Sequence, residues 1–190
     1  SELNQQGRGI YFVVNPGGAR DKEITEARSL FWENANKTKV EQLQQVRSFA
    51  LPVGAIVETN KSIHCYSPLA SPIQDLSQWT QLQERLIQRM DSDAAIRNPS
   101  RLMRLPGFDH VRVQDEELAF SPVTLRHVAS EAKATVEAVG AQLPQWDAAR
   151  WQPPPATEQH RRGTAATPTL AADNPWDIRH FAQYHNGDHH

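Results

Sequence analysis

Three short stretches place polar side chains of chemical use at the ends of otherwise apolar segments. Glu33 directly follows Leu30-Phe31-Trp32. Lys61-Ser62-Ile63-His64 opens a run that continues through Cys65 and Tyr66. Asp93 precedes Arg101 and Arg104 by eight and eleven residues. Carboxylates suit hard divalent ions, and an imidazole beside a hydroxyl and basic groups can hold an anion or move a proton. Each place also has a plain structural use. An acid closing a strand can be a loop-facing charge, a histidine between Ile63 and Cys65 can be half-buried and hydrogen-bonded, and arginines three apart on a strand point to opposite faces.

The elements that would position these residues follow from periodicity and turn chemistry. Gly9 to Val14 is apolar, β-branched and aromatic, and Asn15-Pro16-Gly17-Gly18 closes it, which predicts a buried strand entering a tight turn. Asp21 to Arg28 reads as a short helical segment and Ser29 to Glu33 as a second strand. A helix is expected over about Lys39 to Phe49, with Val40, Leu43, Val46 and Phe49 on one face and Pro52 ending it. Gly54–Glu58 and Ser62–Tyr66 read as a hairpin around Thr59-Asn60-Lys61. Ser77 is the expected cap of a helix whose Trp79, Leu82, Leu86 and Met90 form a core-facing stripe. Arg101 to Leu105 is expected as a strand stopped by Pro106-Gly107, with Val111-Arg112-Val113 as its partner. Ser121-Pro122 has the form of an N-cap followed by proline at the first helical position, and Leu125, Val128, Ala132, Val136 and Val139 extend that helix to Gly140. Residues 144–173, with Pro153-Pro154-Pro155 and Thr164 to Pro168, have linker composition. Asn174 to Tyr184 reads as a short ordered segment before a tag-like end at His190.

Composition bounds the rest. The chain has 190 residues, 38% hydrophobic, and a mean hydropathy of −0.63, which suits one ordinary core with or without an appendage. No apolar run approaches the ~18 residues of a spanning helix, and the polar start is unlike a secretory signal. A soluble cytoplasmic protein is the expectation. The single Cys65 excludes an internal disulfide and a thiolate zinc cluster, so any metal would be held by oxygen or histidine. Four of the eight histidines lie at or beyond His180 and are discounted as ligands. Net charge is −2, from 20 Lys and Arg against 22 Asp and Glu, so the molecule has no global field for nucleic acid. Arg97, Arg101, Arg104 and Arg112, with Asp109 as the one acid between the first and last of them, form either a local basic strip or solvated loop charge.

Taken together, the order and wording of Val14-Asn15-Pro16-Gly17-Gly18, Lys61-Ser62-Ile63-His64 and Asn98-Pro99-Ser100-Arg101-Leu102-Met103-Arg104-Leu105-Pro106-Gly107 resemble the archaeo-eukaryotic primase superfamily. The likeness is to primase-polymerase domains of plasmid, mobile-element and cyanobacterial replication proteins, and it spans about residues 9 to 113. It implies an α+β fold with a mainly antiparallel, RNA-recognition-like sheet and flanking helices, followed by a small helical C-terminal appendage. The corresponding division is a catalytic core over 1–113, a helical extension over 114–143, the linker, and a terminal segment over 174–190.

The resemblance also implies chemistry: DNA-dependent nucleotidyl transfer on a single-stranded DNA template from NTPs or dNTPs, with two Mg²⁺ or Mn²⁺ ions held by strand-end acids. Glu33 and Asp93 match the first and third acids and are the implied metal ligands. The implied catalytic set is Glu33, Asp93 and His64. Lys61, Ser62, His64, Arg101 and Arg104 match the positions that hold the incoming triphosphate. Asn15, Arg20, Lys22 and Arg97 are candidate contacts to template or initiating nucleotide. The second acid of the first motif falls at Ala35, which cannot coordinate a metal, so impaired turnover with retained nucleotide binding is expected, whether through substitution or natural degeneration. A second nucleotide site for initiation would fall to the Ser121–Gly140 helix and the Trp176–Tyr184 segment. A monomer from a longer prokaryotic parent chain is implied. The alternative is a non-catalytic nucleotide or single-strand binding module. A metal-dependent nicking domain is a third reading, for which Tyr66 beside the lone His64 is poor support.

Overall fold

The computed structural model describes residues 1–34 and 36–147. Its elements, in chain order, are α1 (Glu2–Gln5), β1 (Tyr11–Val13), β2 (Ala27–Trp32), α2 (Lys39–Arg47), β3 (Ala55–Glu58), β4 (Ile63–Ile73), α3 (Leu76–Met90), β5 (Leu102–Arg104), β6 (Asp109–Gln114), β7 (Glu117–Pro122), β8 (Thr124–Val128) and α4 (Val136–Gln142), with 3-10 turns at Asp21–Glu23 and Ala94–Ile96. Four antiparallel strands in the order β2-β4-β3-β8 make the central sheet, and β1-β5 and β6-β7 are two-stranded antiparallel pairs. This is the α+β, antiparallel architecture that the resemblance implied.

The free edge of β2 carries the site. An edge strand exposes peptide groups that must find partners when buried. Here side chains supply them at every second residue. The Ser29 carbonyl accepts from Trp79 Nε1 at 2.9 Å, and the Ser29 N–H reaches Asn15 Oδ1 at 3.3 Å. The Phe31 N–H donates to Gln83 Oε1 at 3.3 Å, while Gln83 Nε2 donates to the carbonyls of Phe31 (2.6 Å) and Ile96 (3.1 Å). The Glu33 N–H donates to Ser92 Oγ at 3.1 Å, and the Asp93 N–H donates to the Glu33 carbonyl at 3.0 Å. Trp79 and Gln83 are fully buried on α3, and the Trp79 ring packs on Phe31 at 5.7 Å between centroids.

Alternation along the sheet sorts the faces. Phe31 opposes Tyr66 in register and Trp32 opposes Cys65, so Phe31, Glu33, His64 and Tyr66 share one face. The other face takes α2: Gln42, Gln45 and Val46 line a small void together with Trp32, Ile63 and Cys65, and Trp32 meets Phe49 edge-on at 5.0 Å.

Several local expectations are corrected. Asp21–Arg28 is not a helix: a 3-10 turn covers Asp21–Glu23, and β2 begins at Ala27. Gly17, at φ 137°, packs so close to this turn that an added Cβ would lie 2.0 Å from the Glu23 carbonyl oxygen, a place only glycine fills. On α2, Val40 and Leu43 are exposed, and Gln42 is buried because its amide bridges to the β3–β4 turn. The cap of α3 is Asp75, whose carboxylate accepts from the N–H groups of Ser77 and Gln78.

The largest correction is the Ser121–Gly140 helix. Residues 117–122 and 124–128 are strands, and Val111–Val113 pairs with β7, not with β5, which pairs with β1. The β6–β7 turn uses Asp115 and Glu116 at φ 51° and 67°, two left-handed residues in a row without the usual glycine signal. Pro122 sits at a strand end, where its missing N–H costs no ladder bond. β8 completes the central sheet, and Val123, Ala134, Val139 and Leu143 are buried in the same core as Leu30 and Phe31. Residues 114–143 therefore hold the end of β6, two further strands and one short helix, and they pack into the same hydrophobic core as the residues before them. The linker and terminal segment expected beyond residue 147 lie outside the described residues.

Replacing Gln83 with Leu should leave the Phe31 peptide groups and the Ile96 carbonyl unpaired in the core and destabilise the fold by about 2–4 kcal/mol in urea unfolding. Trp79→Ala should cost about 3–5 kcal/mol, and the exposed control Gln81→Ala should stay within about 0.5 kcal/mol. An unchanged midpoint for Gln83→Leu would refute this account of the β2 edge.

Candidate active site

Glu33 is the hub of the site. It stands one residue beyond β2, and its side chain is 17% exposed against 6% for His64. Its Oε2 accepts from Ser62 Oγ and from His64 Nε2, each at 2.9 Å. Burial pushes the Glu33 carboxyl up, but the hydrogen bond and charge of His64, the Ser62 hydroxyl and the Arg101 charge together outweigh it and hold the group below its ordinary value.

The β3–β4 turn delivers Ser62 and His64. The Thr59 N–H donates to the Ser62 carbonyl at 2.8 Å, and Thr59 Oγ1 lies 3.1 Å from Ser62 Oγ. From α2, Gln42 accepts the Ile63 N–H at 2.7 Å and donates to the Lys61 carbonyl at 3.2 Å. This buried amide locks the turn, and with it the side chains aimed at Glu33. Lys61 itself is exposed.

Asp93 reaches the site through its backbone bond to Glu33. Its side chain is exposed, and Oδ1 caps the 3-10 turn by accepting from the Ala95 N–H at 2.9 Å. Among the described residues, Glu33 Oε1 and Asp93 Oδ2 accept no hydrogen bond. Their oxygens suit a hard divalent cation, yet among the described residues no group of three His, Cys, Asp or Glu is placed to hold a metal. Asn34 and Lys37, on either side of position 35, are both tied to Asp91, by the Asn34 side-chain amide to its carbonyl and by Lys37 Nζ to its carboxylate at 2.5 Å.

A basic wall faces this acidic corner. The Arg104 guanidinium lies 4.9 Å from the centroid of the Tyr11 ring, its cross-strand partner. His110 and Arg112 alternate with Val111 and Val113 on β6 and so share a face. Partial burial, then the charges of Arg104, Arg112, His64 and Lys61, pull His110 down to about 4, which places those four groups within electrostatic reach of it. Five buried polar atoms among the described residues have no hydrogen-bond partner: His64 Nδ1, Tyr66 Oη, Arg104 Nη1, His110 Nδ1 and Arg112 Nε. An unpaired buried polar group is costly, and four of these five lie on His110 and on three residues that act on it electrostatically, His64, Arg104 and Arg112.

Of the residues singled out in the sequence, Glu33, Ser62, His64, Asp93 and Arg101 converge, and Lys61 and Arg104 belong to the basic wall. Arg101 and Arg104 divide their work, the charge of one acting on Glu33 and that of the other on His110. Asn15 is buried at 1% exposure and spends its amide on the Pro99 carbonyl and the Arg28 and Ser29 N–H groups. Arg20 pairs with Glu23, Lys22 is exposed on the 3-10 turn, and Arg97 lies 3.9 Å from Glu84. His110 was not singled out, although its i, i+2 spacing with Arg112 was visible. Asp21 was missed as well: its Oδ1 accepts from the Ser100 hydroxyl and N–H, at 2.5 and 3.2 Å, anchoring the loop that leads to Arg101.

No family model and no curated protein matches the chain. Among solved structures it is similar to the primase RepB′, at 19% identity and a TM-score of 0.51 over 85% of this chain and 49% of that one, a likeness of fold. It is also similar to the archaeo-eukaryotic primase domain of the cyanophage S-2L primase-polymerase, at 32% identity and a TM-score of 0.63, covering 75% of this chain and 74% of that one. With the strand-end acid, the Lys-Ser-Ile-His turn and the two arginines assembled at one end of the sheet, this chain belongs to the primase-polymerases of the archaeo-eukaryotic primase superfamily.

Proposed function

We propose that the parent activity is DNA-dependent primer synthesis and extension on single-stranded DNA, and that Ala35 leaves this chain better at binding nucleotide than at turning it over. The observation that carries the reading is the juxtaposition of the Glu33–Asp93 corner with a wall of unpaired buried basic atoms. A triphosphate brings acceptor oxygens and negative charge to such a wall, and carboxylates beside it suit the ions that accompany the triphosphate.

In this reading Arg104, Arg112, His110 and Lys61 take the triphosphate, with arginine forks giving paired hydrogen bonds that lysine does not reproduce. Ser62 and His64, now turned to Glu33 Oε2, stand between the two halves and can serve either. Glu33 and Asp93 would hold Mg²⁺ or Mn²⁺, which when bound offsets phosphate charge and activates the primer 3′-hydroxyl. Alanine at position 35 removes one of three expected carboxylates. That supports the second reading, a nucleotide or single-strand binding module, unless an acid at 35 restores turnover.

Calorimetric titration with ATP and Mn²⁺ should show binding by this chain, weakened about 10-fold or more by His64→Ala or Arg104→Ala and only partly spared by Arg104→Lys. Ala35→Asp should gain primer synthesis on a single-stranded template in a gel assay. Binding without synthesis from Ala35→Asp would establish the binding module instead, and absence of binding would defeat both readings.

His110 adds a pH signature. The unfolded chain protonates it below its ordinary value of 6.5 and the folded chain only near 4, so its contribution is fully present above 6.5 and is lost as pH falls from 6.5 to 4. Urea unfolding at stepped pH should show a shallower loss of stability over that window for His110→Gln. Identical slopes would place His110 outside the basic wall.

A further inference from the structure

The basic wall is built from two strands that are not hydrogen-bonded to each other: β5, with Arg104, pairs with β1, and β6, with His110 and Arg112, pairs with β7. Neither belongs to the central sheet. The N-terminal residues bridge them. The Leu105 N–H donates to the Ile10 carbonyl at 3.2 Å, and the Tyr11 ring carries the Arg104 guanidinium. On the other side Asn4, only 4% exposed, grips the first residue of β6: its Oδ1 accepts the Asp109 N–H at 2.7 Å, and its Nδ2 donates to the Asp109 carbonyl at 2.9 Å and to the Arg8 carbonyl at 2.8 Å.

Asp109 is open to this grip because it faces Pro122 as a non-hydrogen-bonded pair of the β6–β7 hairpin, so its N–H and carbonyl both point away from β7. The Asn4 amide thus acts as one extra rung of strand pairing, across 105 residues of chain. It is a polar group buried at the edge of the protein for a purpose that core packing does not explain, since both its carbonyl and its amide are committed to backbone.

We propose that Asn4 is a positioning residue for the nucleotide site, setting the strand that carries His110 and Arg112 at the separation from Arg104 that a polyphosphate spans. This rests on the reading of the basic wall as the triphosphate-binding surface. Asn4 touches no substrate in this role; it acts through the Asp109 peptide groups.

The test uses tripolyphosphate without metal, so that binding to the wall is read independently of turnover. Titrations would compare the full chain, Asn4→Ala, Asn4→Ser, the pair His110→Ala/Arg112→Ala, and the triple variant, with thermal melts confirming that each is folded. Asn4→Ala should weaken tripolyphosphate binding about 10-fold, Asn4→Ser by less, and Asn4→Ala should cost nothing further in the background lacking His110 and Arg112. Should Asn4→Ala fold poorly, the same non-additivity is sought with Asn4→Ser. Unchanged affinity in the folded Asn4 variants, or an equal loss with and without the two β6 side chains, would overturn the proposal while leaving the wall intact. No effect of His110→Ala/Arg112→Ala on tripolyphosphate binding would instead overturn the wall and the proposal together.

Discussion

The satisfaction of one exposed strand edge organises this molecule. β2 pairs with β4 on one side only, and its other edge would leave the peptide groups of Ser29, Phe31 and Glu33 without partners in a dry interior. Trp79, Gln83, Asn15 and Ser92 take the place of a missing strand. Because the sequence of donors and acceptors continues one step past the strand, it draws the Asp93 backbone onto Glu33 and so assembles the acidic corner. The same bonds that close the core at Phe31 therefore set where the carboxylates stand.

Two other buried amides, Gln42 and Asn4, repeat the device, and Asn15 extends it beyond the β2 edge. Gln42 holds the turn that presents Ser62 and His64, Asn15 ties the end of β1 to β2 and to the loop before Arg101, and Asn4 ties α1 to β6. Side-chain amides carry both a donor and an acceptor, so each can pair with a peptide without strand regularity. A site drawn from a turn, a 3-10 segment, two minor strands and one strand end needs connections of that kind, because no continuous ladder runs through all of them. The apolar core supplies the bulk of the stability, and the amides decide which loops face one another.

Charge is divided with the same economy. Glu33 remains ionised in a largely buried setting because Ser62, His64 and Arg101 compensate it. The opposite wall is left uncompensated, with guanidinium and imidazole atoms that find no partner in the described chain. A protein whose net charge is close to zero can in this way carry a strong local field, which the global balance of acids and bases conceals.

The motif residues were legible from one dimension. Leu30-Phe31-Trp32 followed by Glu33, the Thr59-Asn60-Lys61 turn before Ser62 and His64, and the Trp79, Leu82, Leu86, Met90 stripe of α3 each follow from periodicity and turn chemistry, while the family resemblance rests on the wording of Val14–Gly18, Lys61–His64 and Asn98–Gly107. Residues 114–143 were not legible, for a physical reason. Ser121-Pro122 followed by residues at helical spacing satisfies the local rules for a helix start, but β8 is selected by the open edge of β3, and the β6–β7 turn by two residues in the left-handed region that carry no glycine. His110, Asn4 and Gln83 were invisible for a related reason: a lone polar residue signals nothing until the fold shows which distant peptide or charge it meets. Sequence determined the acids, the turn and the arginines that define the chemistry; tertiary structure alone decided which strands complete the sheet and which polar side chains hold the site together, because those choices are made by pairings between residues far apart in the chain.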